Sequence, residues 1–471
     1  MMVRGTRLIA LALSLLSCRA QPDGLLPALA DTTRQITGAV VSQPLFQIVA
    51  QGAGELFART VYDVTRIPVA IARALGVQGD IPVLINESNL AGQTDKILAE
   101  FQAGLGNEDA TLSIDKLITK YGYPVQKHET VTEDGYALNM FRIPGRGPVV
   151  FLMHGLLGSA DDFVIAGPES SLAYLLAEEG YDVWMGNARG NKHSRRHIQL
   201  DPSEAVFWDF SWHEIGYYDL PAMIDYTLNT TSQKSLKYIG HSQGTTSFFV
   251  MASERPDYND KIALMIALSP GAYLSHALSP FVRLAAPSSG FLGVVVQSFG
   301  LHEILPDSAL IRILKTVLCG TGPIAEIICY NQLLLGTGFG FAELNVSNIP
   351  VINGHTPSGA ALKQVLHYGQ NFNSGDFKRY DYGATKNLRV YGSEVPPSYP
   401  LESIRAPVSL FYSDHDWMAH PVDVDALYQR LGNAIDIYKI PHPQFNHLDF
   451  IWAKHFRTLI FDRVRKLLAA F

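Results

Sequence analysis

The sequence has little cysteine and little charge for its length. Only 3 cysteines occur in 471 residues, and charged side chains make up 17% of the chain. This composition excludes a small scaffold held together by disulfides. The net charge is -7 and no long run of Lys or Arg occurs, so the chain lacks the basic surface by which proteins bind nucleic acid. We therefore expect no nucleic-acid partner.

Long apolar runs are also missing. Past the first 20 residues no run reaches the roughly 18 apolar residues that a membrane-spanning helix needs, so we expect no transmembrane segment in the mature chain. Hydrophobic side chains nevertheless make up 47% of the sequence. That fraction excludes a disordered chain and is sufficient for one large core with an inserted subdomain.

The first residues are typical of a secretory signal peptide. Arg4 and Arg7 precede a short apolar run at residues 8–16, which is too short to span a bilayer. Ala20 then provides a small residue where a signal peptidase would cut. We predict a signal peptide over residues 1–20, a mature chain that begins near Gln21, and a secreted or lysosomal protein.

Further features suit an oxidising, secretory environment. Cleavage there leaves Cys319 and Cys329, which could form a disulfide across a short loop. Three sequons, at Asn86, Asn229 and Asn345, are candidate N-glycosylation sites.

Strand and helix patterns alternate from about residue 111. Between the apolar runs lie stretches long enough for crossover helices, such as residues 170–179 and 217–228. This alternation predicts an α/β fold with a mostly parallel central sheet flanked by helices. The runs that predict buried strands are residues 149–153, 181–185, 236–239, 262–268, 408–412 and 436–440.

The alternation is interrupted by a long segment rich in Leu, Gly, Pro and Phe. We interpret residues 271–401 as a mainly helical cap, or lid, inserted into a core made of residues 111–270 and 402–471. Residues 21–110 form an N-terminal extension whose role the sequence does not indicate.

A Gly-x-Ser-x-Gly motif occupies residues 240–244. The motif follows an apolar strand and precedes a stretch that can continue as a helix. This is the strand, turn and helix setting of a nucleophile elbow, in which a tight turn exposes the serine and the glycines let strand and helix approach closely. The context predicts an α/β-hydrolase fold with Ser242 as the nucleophile.

A serine nucleophile needs a histidine base and a carboxylate that orients the base. In this fold the acid and then the histidine follow the serine along the chain. Asp414 and Asp416 follow one predicted strand, and His442 and His447 follow the next. Spacing alone does not choose between the aspartates and only favours His447, because prolines flank His442. The side chains at residues 414–420 could also bind a metal, but they lack a recognised ligand spacing.

The oxyanion of an ester-hydrolysis intermediate needs backbone N–H donors. One is expected from the residue after the nucleophile, Gln243. The second is expected from the loop after an early strand, and residues 154–158 occupy that position, which nominates the Leu156 amide. His154 precedes the serine in the chain, so we interpret it as a residue that orders this loop.

These motifs together resemble the acid lipase family of gastric and lysosomal enzymes. The resemblance runs from about residue 112 to the C-terminus; the longer extension at residues 21–107 and the cap depart from it. It is carried by residues 121–124, 131–136, 154–157, 182–190, 240–246 and 446–452.

The resemblance implies a catalytic triad of Ser242, Asp416 and His447, with oxyanion donors Leu156 and Gln243. It also implies hydrolysis of neutral lipid esters, triacylglycerols first and sterol esters second, without a metal or organic cofactor. Apolar runs in the cap independently favour a lipid ester bound at a lipid-water interface.

Two other functions are compatible with the sequence. One is an esterase for sterol or other hydrophobic esters, and the other is a catalytically inactive lipid-binding protein on the same scaffold. The complete set of triad positions argues against the inactive protein. The sequence makes no prediction about the oligomeric state.

Overall fold

The computed structural model describes residues 99–100, 103–104, 106–279, 282–283, 286, 302–305, 337–338 and 342–471. The predicted signal peptide, most of the N-terminal extension, Asn86 and both candidate disulfide cysteines lie outside these residues. Asn229 and Asn345 are within them, and both side chains are exposed.

A nine-stranded sheet forms the centre of the fold. Its hydrogen-bonded order is β1-β2-β4-β3-β6-β7-β10-β11, with β5 paired to β2. Strands β1, β2 and β5 pair antiparallel, whereas the pairs from β4 to β11 are parallel. The strands are β1 (Gln126–Val131), β2 (Tyr136–Ile143), β3 (Val149–Met153), β4 (Asp182–Met185), β5 (Arg196–His197), β6 (Leu236–His241), β7 (Ile262–Leu268), β8 (Glu303–Ile304), β9 (Ala360–Ala361), β10 (Val408–Tyr412) and β11 (Ala434–Lys439).

Helices connect the parallel strands. The expected crossover helices at residues 170–179 and 217–228 are present as α2 and α3. The principal helices are α1 (Ile114–Lys120), α2 (Leu172–Glu178), α3 (Leu220–Thr231), α4 (Gln243–Glu254), α5 (Ile349–His355), α6 (Leu362–Ser374), α7 (Ala384–Tyr391), α8 (Pro421–Arg430), α9 (Asp449–Trp452) and α10 (Asp462–Ala470).

Apolar packing on both faces of the sheet explains why its central strands are continuous hydrophobic runs. In β3, Val150 and Leu152 belong to one apolar cluster, which includes α1, α2 and α10. Val149, Phe151 and Met153 belong to a second cluster, which includes α3, α4 and α8. Successive side chains of a strand point to opposite faces, so helices cover both sides of the sheet. The predicted α/β architecture is confirmed.

The segment between β7 and β10 interrupts the alternation of strands and helices, as the sequence indicates. Its described part contains α5, α6, α7 and the two-stranded pair of β8 with β9. The proposed limits of the extension, the core parts and the cap stay predictions. In the part of the chain that the structure describes, no helix is long and apolar enough to cross a membrane.

Candidate active site

Ser242 lies in the turn between β6 and α4. Its backbone has φ 51° and ψ -119°, a conformation that residues with a Cβ atom rarely adopt. Gly240 and Gly244 permit this turn: a Cβ atom on Gly240 would lie 2.8 Å from the Gly244 carbonyl carbon, and one on Gly244 would lie 2.3 Å from the Met153 carbonyl oxygen. The glycines therefore let the strand and the helix approach closely enough to hold the serine at the carboxyl edge of the sheet.

His447 follows β11 and faces the serine. Its Nε2 atom lies 2.8 Å from Ser242 Oγ. His241 lies beside it: His241 Nε2 donates to the His447 carbonyl oxygen at 3.0 Å, and the two ring centroids are 4.9 Å apart. Burial lowers the pKa of His241 to about 3, so its ring stays neutral and keeps one N–H for this bond. His241 thus fixes the backbone that carries the His447 imidazole.

Asp416 lies behind the imidazole and is fully buried. Both of its carboxylate oxygens are 3.0 Å from His447 Nδ1. Oδ1 also accepts the backbone N–H groups of Met418 and Ala419, at 2.8 and 2.9 Å. Burial alone raises the pKa of a carboxyl group, but the electrostatic interaction with His447 and hydrogen bonds from His447 and Ser269 hold the pKa of Asp416 below its ordinary value.

The other aspartate and histidine considered from the sequence are outside this arrangement. Asp414 is half exposed and pairs with Lys439 Nζ at 2.5 Å. His442 faces Glu343, with Nε2 3.6 Å from Oε1. Neither side chain contacts Ser242. Within the described ranges, no group of three or more His, Cys, Asp or Glu side chains could hold a metal ion.

The two candidate oxyanion donors flank the serine. Gln243 is the first residue of α4, so its N–H lacks a partner within the helix. Leu156 follows Gly155, where a Cβ atom would lie 3.0 Å from the Ser242 Cβ. Among the described residues, neither the Gln243 nor the Leu156 amide donates a hydrogen bond. Both amides therefore remain available to a substrate oxygen.

His154 orders the loop that carries Leu156, as expected. Burial lowers the pKa of His154 to about 4, so the ring is neutral. Its Nδ1 donates to the Gly155 carbonyl oxygen at 2.8 Å, and its Nε2 accepts the Ala188 N–H at 3.1 Å. Nδ1 thus bonds within this loop and Nε2 bonds to the segment after β4, so neither ring nitrogen is left to act as a base.

A small apolar cavity of about 20 Å³ opens above the serine. Tyr368 of α6 forms part of its wall, and the phenol oxygen lies 2.9 Å from Thr246 Oγ1. The polar end of this side chain is thus already hydrogen-bonded, and its ring faces the cavity. The residues that line the cavity are Leu156, Ser242, Gly271, Leu274, Tyr368, Met418, Ala419 and His447.

Comparison with known proteins shows the family. Two family models match: a partial α/β-hydrolase lipase region at residues 114–167 and the α/β-hydrolase fold at residues 148–288. Lipase 1 of Drosophila melanogaster is 46% identical over 363 residues, which are 77% of this chain and 80% of that protein. Gastric triacylglycerol lipase of Bos taurus is 38% identical over 373 residues, 77% of this chain and 92% of that protein. The chain belongs to the acid lipase family. This acid lipase has the α/β-hydrolase fold and is a carboxylic ester hydrolase.

In this acid lipase, a set of residues that the sequence did not indicate holds the loop of Leu156. The Leu157 carbonyl oxygen accepts the Ser358 N–H at 2.8 Å, and the Ser358 carbonyl oxygen accepts the Lys192 N–H at 2.8 Å. Lys192 Nζ donates to the His355 carbonyl oxygen at 2.7 Å and pairs with Asp161 at 2.6 Å. We call Leu157, Asp161, Lys192, His355 and Ser358 the clasp. It joins the loop of Leu156, residues 154–158, which we call the oxyanion loop after its candidate donor, to the end of α5 and the residues that follow it.

Ser269 is a further residue of the acid lipase that the sequence analysis does not predict. It follows β7 directly, is fully buried, and its hydroxyl donates to Asp416 Oδ2. Ser269 Oγ also lies 2.7 Å from His447 Nδ1. The available signal was a serine at the end of a strand next to the elbow strand, since the carboxyl ends of neighbouring parallel strands meet at one edge of the sheet.

Proposed function

We propose that this acid lipase is a secreted triacylglycerol lipase with Ser242 as nucleophile, His447 as general base and Asp416 as the group that orients His447. The observation that carries the proposal is the continuous row of contacts from Ser242 Oγ through both ring nitrogens of His447 to the buried carboxylate of Asp416. The row begins at a small apolar cavity beside Ser242, which marks the side from which an ester carbonyl could approach.

The proposed reaction has two halves. Ser242 Oγ attacks the ester carbonyl while His447 Nε2 takes the hydroxyl proton, and the Leu156 and Gln243 amides stabilise the oxyanion. Collapse of the tetrahedral intermediate breaks the ester C–O bond, and the imidazolium returns the proton to the leaving alcohol. Water, deprotonated by His447, then attacks the acyl-enzyme and releases the fatty acid with Ser242 restored.

Neutral lipid esters are the substrates that the cavity favours. Its described lining carries no Asp, Glu, Lys or Arg side chain. A fatty acyl group would lose no hydrogen bonds on contact with such a lining, whereas a charged substrate would lose hydration without compensation. Relatives named gastric triacylglycerol lipase support triacylglycerol as the first choice of ester.

Replacement of Ser242 by alanine tests the proposed chemistry. We expect Ser242→Ala to lower kcat at least about 10⁴-fold on emulsified triacylglycerol and to abolish labelling by an organophosphonate, with the fold retained. Ser247→Ala is the matched control, because this buried serine of α4 has a hydroxyl without a hydrogen-bond partner among the described residues. Near-normal hydrolysis by Ser242→Ala would contradict the proposal.

A panel of esters tests the substrate. Emulsified triacylglycerol, emulsified sterol ester and a short soluble ester are compared by kcat/KM for the wild-type enzyme. We expect the highest value for triacylglycerol. Faster hydrolysis of the sterol ester would identify a sterol esterase, and bound lipid without either hydrolysis or labelling would identify a lipid-binding protein.

Secretion is tested on the full chain expressed in animal cells. We expect the protein in the medium, an N-terminus near Gln21, and a loss of mass on enzymatic deglycosylation at the exposed Asn229 and Asn345. Peptide mapping without reduction tests the proposed bond between Cys319 and Cys329. Retention of the chain inside cells without processing would contradict this part of the proposal.

A further inference from the structure

Ser269 occupies the point where three strands of the parallel sheet end together. Its N–H donates to the carbonyl oxygen of Phe411 in β10 at 2.9 Å, and the preceding residue, Leu268, accepts the Ser242 N–H at 3.0 Å. Its φ of 55° is in the left-handed region, which a residue with a Cβ atom adopts at a cost. These backbone contacts direct the Ser269 hydroxyl to the space between Asp416 and His447.

The single hydroxyl proton of Ser269 determines what its oxygen can offer the imidazole. A carboxylate only accepts hydrogen bonds, so the proton is donated to Asp416 Oδ2. Ser269 Oγ therefore presents a lone pair to His447 Nδ1, 2.7 Å away. This arrangement requires the proton of the neutral imidazole to be on Nδ1. Nε2 is then unprotonated where it faces Ser242, as a general base must be.

Asp416 by itself does not fix the orientation of the His447 ring. Its two oxygens are both 3.0 Å from Nδ1, so the carboxylate does not favour one orientation of the N–H over the other. Oδ1 is held by the amides of Met418 and Ala419. Among the described residues, the partners of Oδ2 are only His447 and Ser269.

We propose that Ser269 is a positioning residue of the reaction, a fourth member of the row that fixes Asp416 and accepts a share of the Nδ1–H bond of His447. This inference rests on the proposed function. As the imidazole gains a proton from Ser242, Nδ1 becomes a stronger donor and its bond to Ser269 Oγ strengthens. The hydroxyl thus stabilises the charged ring of the transition state more than the neutral ring of the resting enzyme.

The substitution Ser269→Ala removes the hydroxyl and leaves the cost of the positive φ unchanged, because alanine and serine both carry a Cβ atom. We expect kcat on a short soluble ester to fall about 10- to 100-fold, the range for a hydrogen bond to a charged group. KM should change by less than about twofold, since Ser269 is not among the residues that line the cavity. The rate of Ser242 labelling by an organophosphonate should fall in parallel with kcat.

A chemically matched control exists in β10. Ser409 is also fully buried, and its hydroxyl also donates to a carboxylate, Asp436 Oδ2, at 2.9 Å. Ser409→Ala loses the same type of hydrogen bond without touching the triad. We expect it to lower the unfolding temperature but to leave kcat per active site and the labelling rate unchanged.

Two measurements separate positioning from a loss of folded protein. Titration with the organophosphonate counts the competent sites, so kcat is expressed per titrated site. The downfield proton resonance of His447 Nδ1–H reports the bond directly and should move upfield in Ser269→Ala and stay in place in Ser409→Ala. If Ser269→Ala does not fold, Ser269→Gly is used, because glycine adopts a φ of 55° readily and removes the same hydroxyl.

The outcomes are distinct. Wild-type protein that neither hydrolyses esters nor is labelled overturns the proposed function and this inference with it. Active wild type together with a Ser269 variant whose kcat per site and Nδ1–H resonance are unchanged overturns this inference alone. A lower kcat with an unchanged KM and a shifted resonance, absent from the Ser409 control, supports it.

Discussion

At the scale of single residues, two adjacent carboxyl groups near the oxyanion loop have pKa values that are shifted in opposite directions. Asp161 contacts Lys192, His193 and His355, and these partners outweigh burial and hold its pKa well below the ordinary value. Burial, and then the charge of Asp161, raises the pKa of its neighbour Asp162 to about 7. Asp162 is therefore protonated in the folded protein under mildly acidic conditions.

This protonation predicts a pH dependence of stability. The folded protein keeps the Asp162 proton up to about pH 7, whereas the unfolded chain releases it near the ordinary value of 3.8, so the free energy of unfolding falls as the pH rises between these values. Asp162→Asn imitates the protonated side chain and should show a smaller fall, measured by urea unfolding from pH 4 to pH 7. Asp161→Asn is the opposite case and should lose most stability near pH 7. An unchanged slope in Asp162→Asn would contradict the assignment.

At the scale of elements, the clasp links the oxyanion loop to the end of α5 and the residues after it. Lys192 contacts both sides, because it bonds to His355 at the end of α5 and to Ser358 beyond it, and pairs with Asp161. Leu157, whose carbonyl the clasp holds, has a φ of 63°. A loop with this unfavourable backbone is expected to relax when its contacts are lost, which would move the Leu156 amide away from the oxyanion.

Replacement of Lys192 tests the clasp. We expect Lys192→Met to lower kcat per titrated site about tenfold on a soluble ester, with a small change in KM, because an oxyanion donor acts mainly in the transition state. It should also lower the unfolding temperature, since Asp161 is buried and loses a cation. Lys261→Met is the control: it breaks a partly exposed pair with Asp225 at the amino end of β7, opposite the carboxyl edge that carries Ser242, and should leave kcat unchanged. An unaltered kcat in Lys192→Met would show that the loop keeps its shape without the clasp.

At the scale of the whole molecule, the proposed reaction uses only groups of the protein. In this proposal serine supplies the nucleophile, histidine moves the proton and two backbone amides stabilise the oxyanion, and none of these steps involves a metal. We predict that dialysis against a chelator leaves kcat/KM on emulsified triacylglycerol unchanged, measured beside an undialysed sample. Activity that disappears on dialysis and returns with a divalent cation would contradict this prediction.

Much of the architecture could be predicted because its signals are local. The buried strands appear as short apolar runs, and the structure confirms β3, β6, β7 and β10 close to their predicted bounds. The fold class and the acid lipase family are also confirmed. Ser242, Asp416 and His447 were chosen by a motif and a resemblance, and the structure brings these three side chains into contact.

What the sequence by itself determined is the order of strands and helices and the residue types at the ends of the strands, since each depends on neighbours along the chain. Only the tertiary structure decided that Asp414 pairs with Lys439, that Ser269 bridges Asp416 and His447, and that the segment between β7 and β10 holds the oxyanion loop. These contacts join residues far apart in sequence. The Ser269 bridge exists because the crossover order of the parallel sheet brings the ends of β6, β7 and β10 side by side, and no local pattern encodes that adjacency.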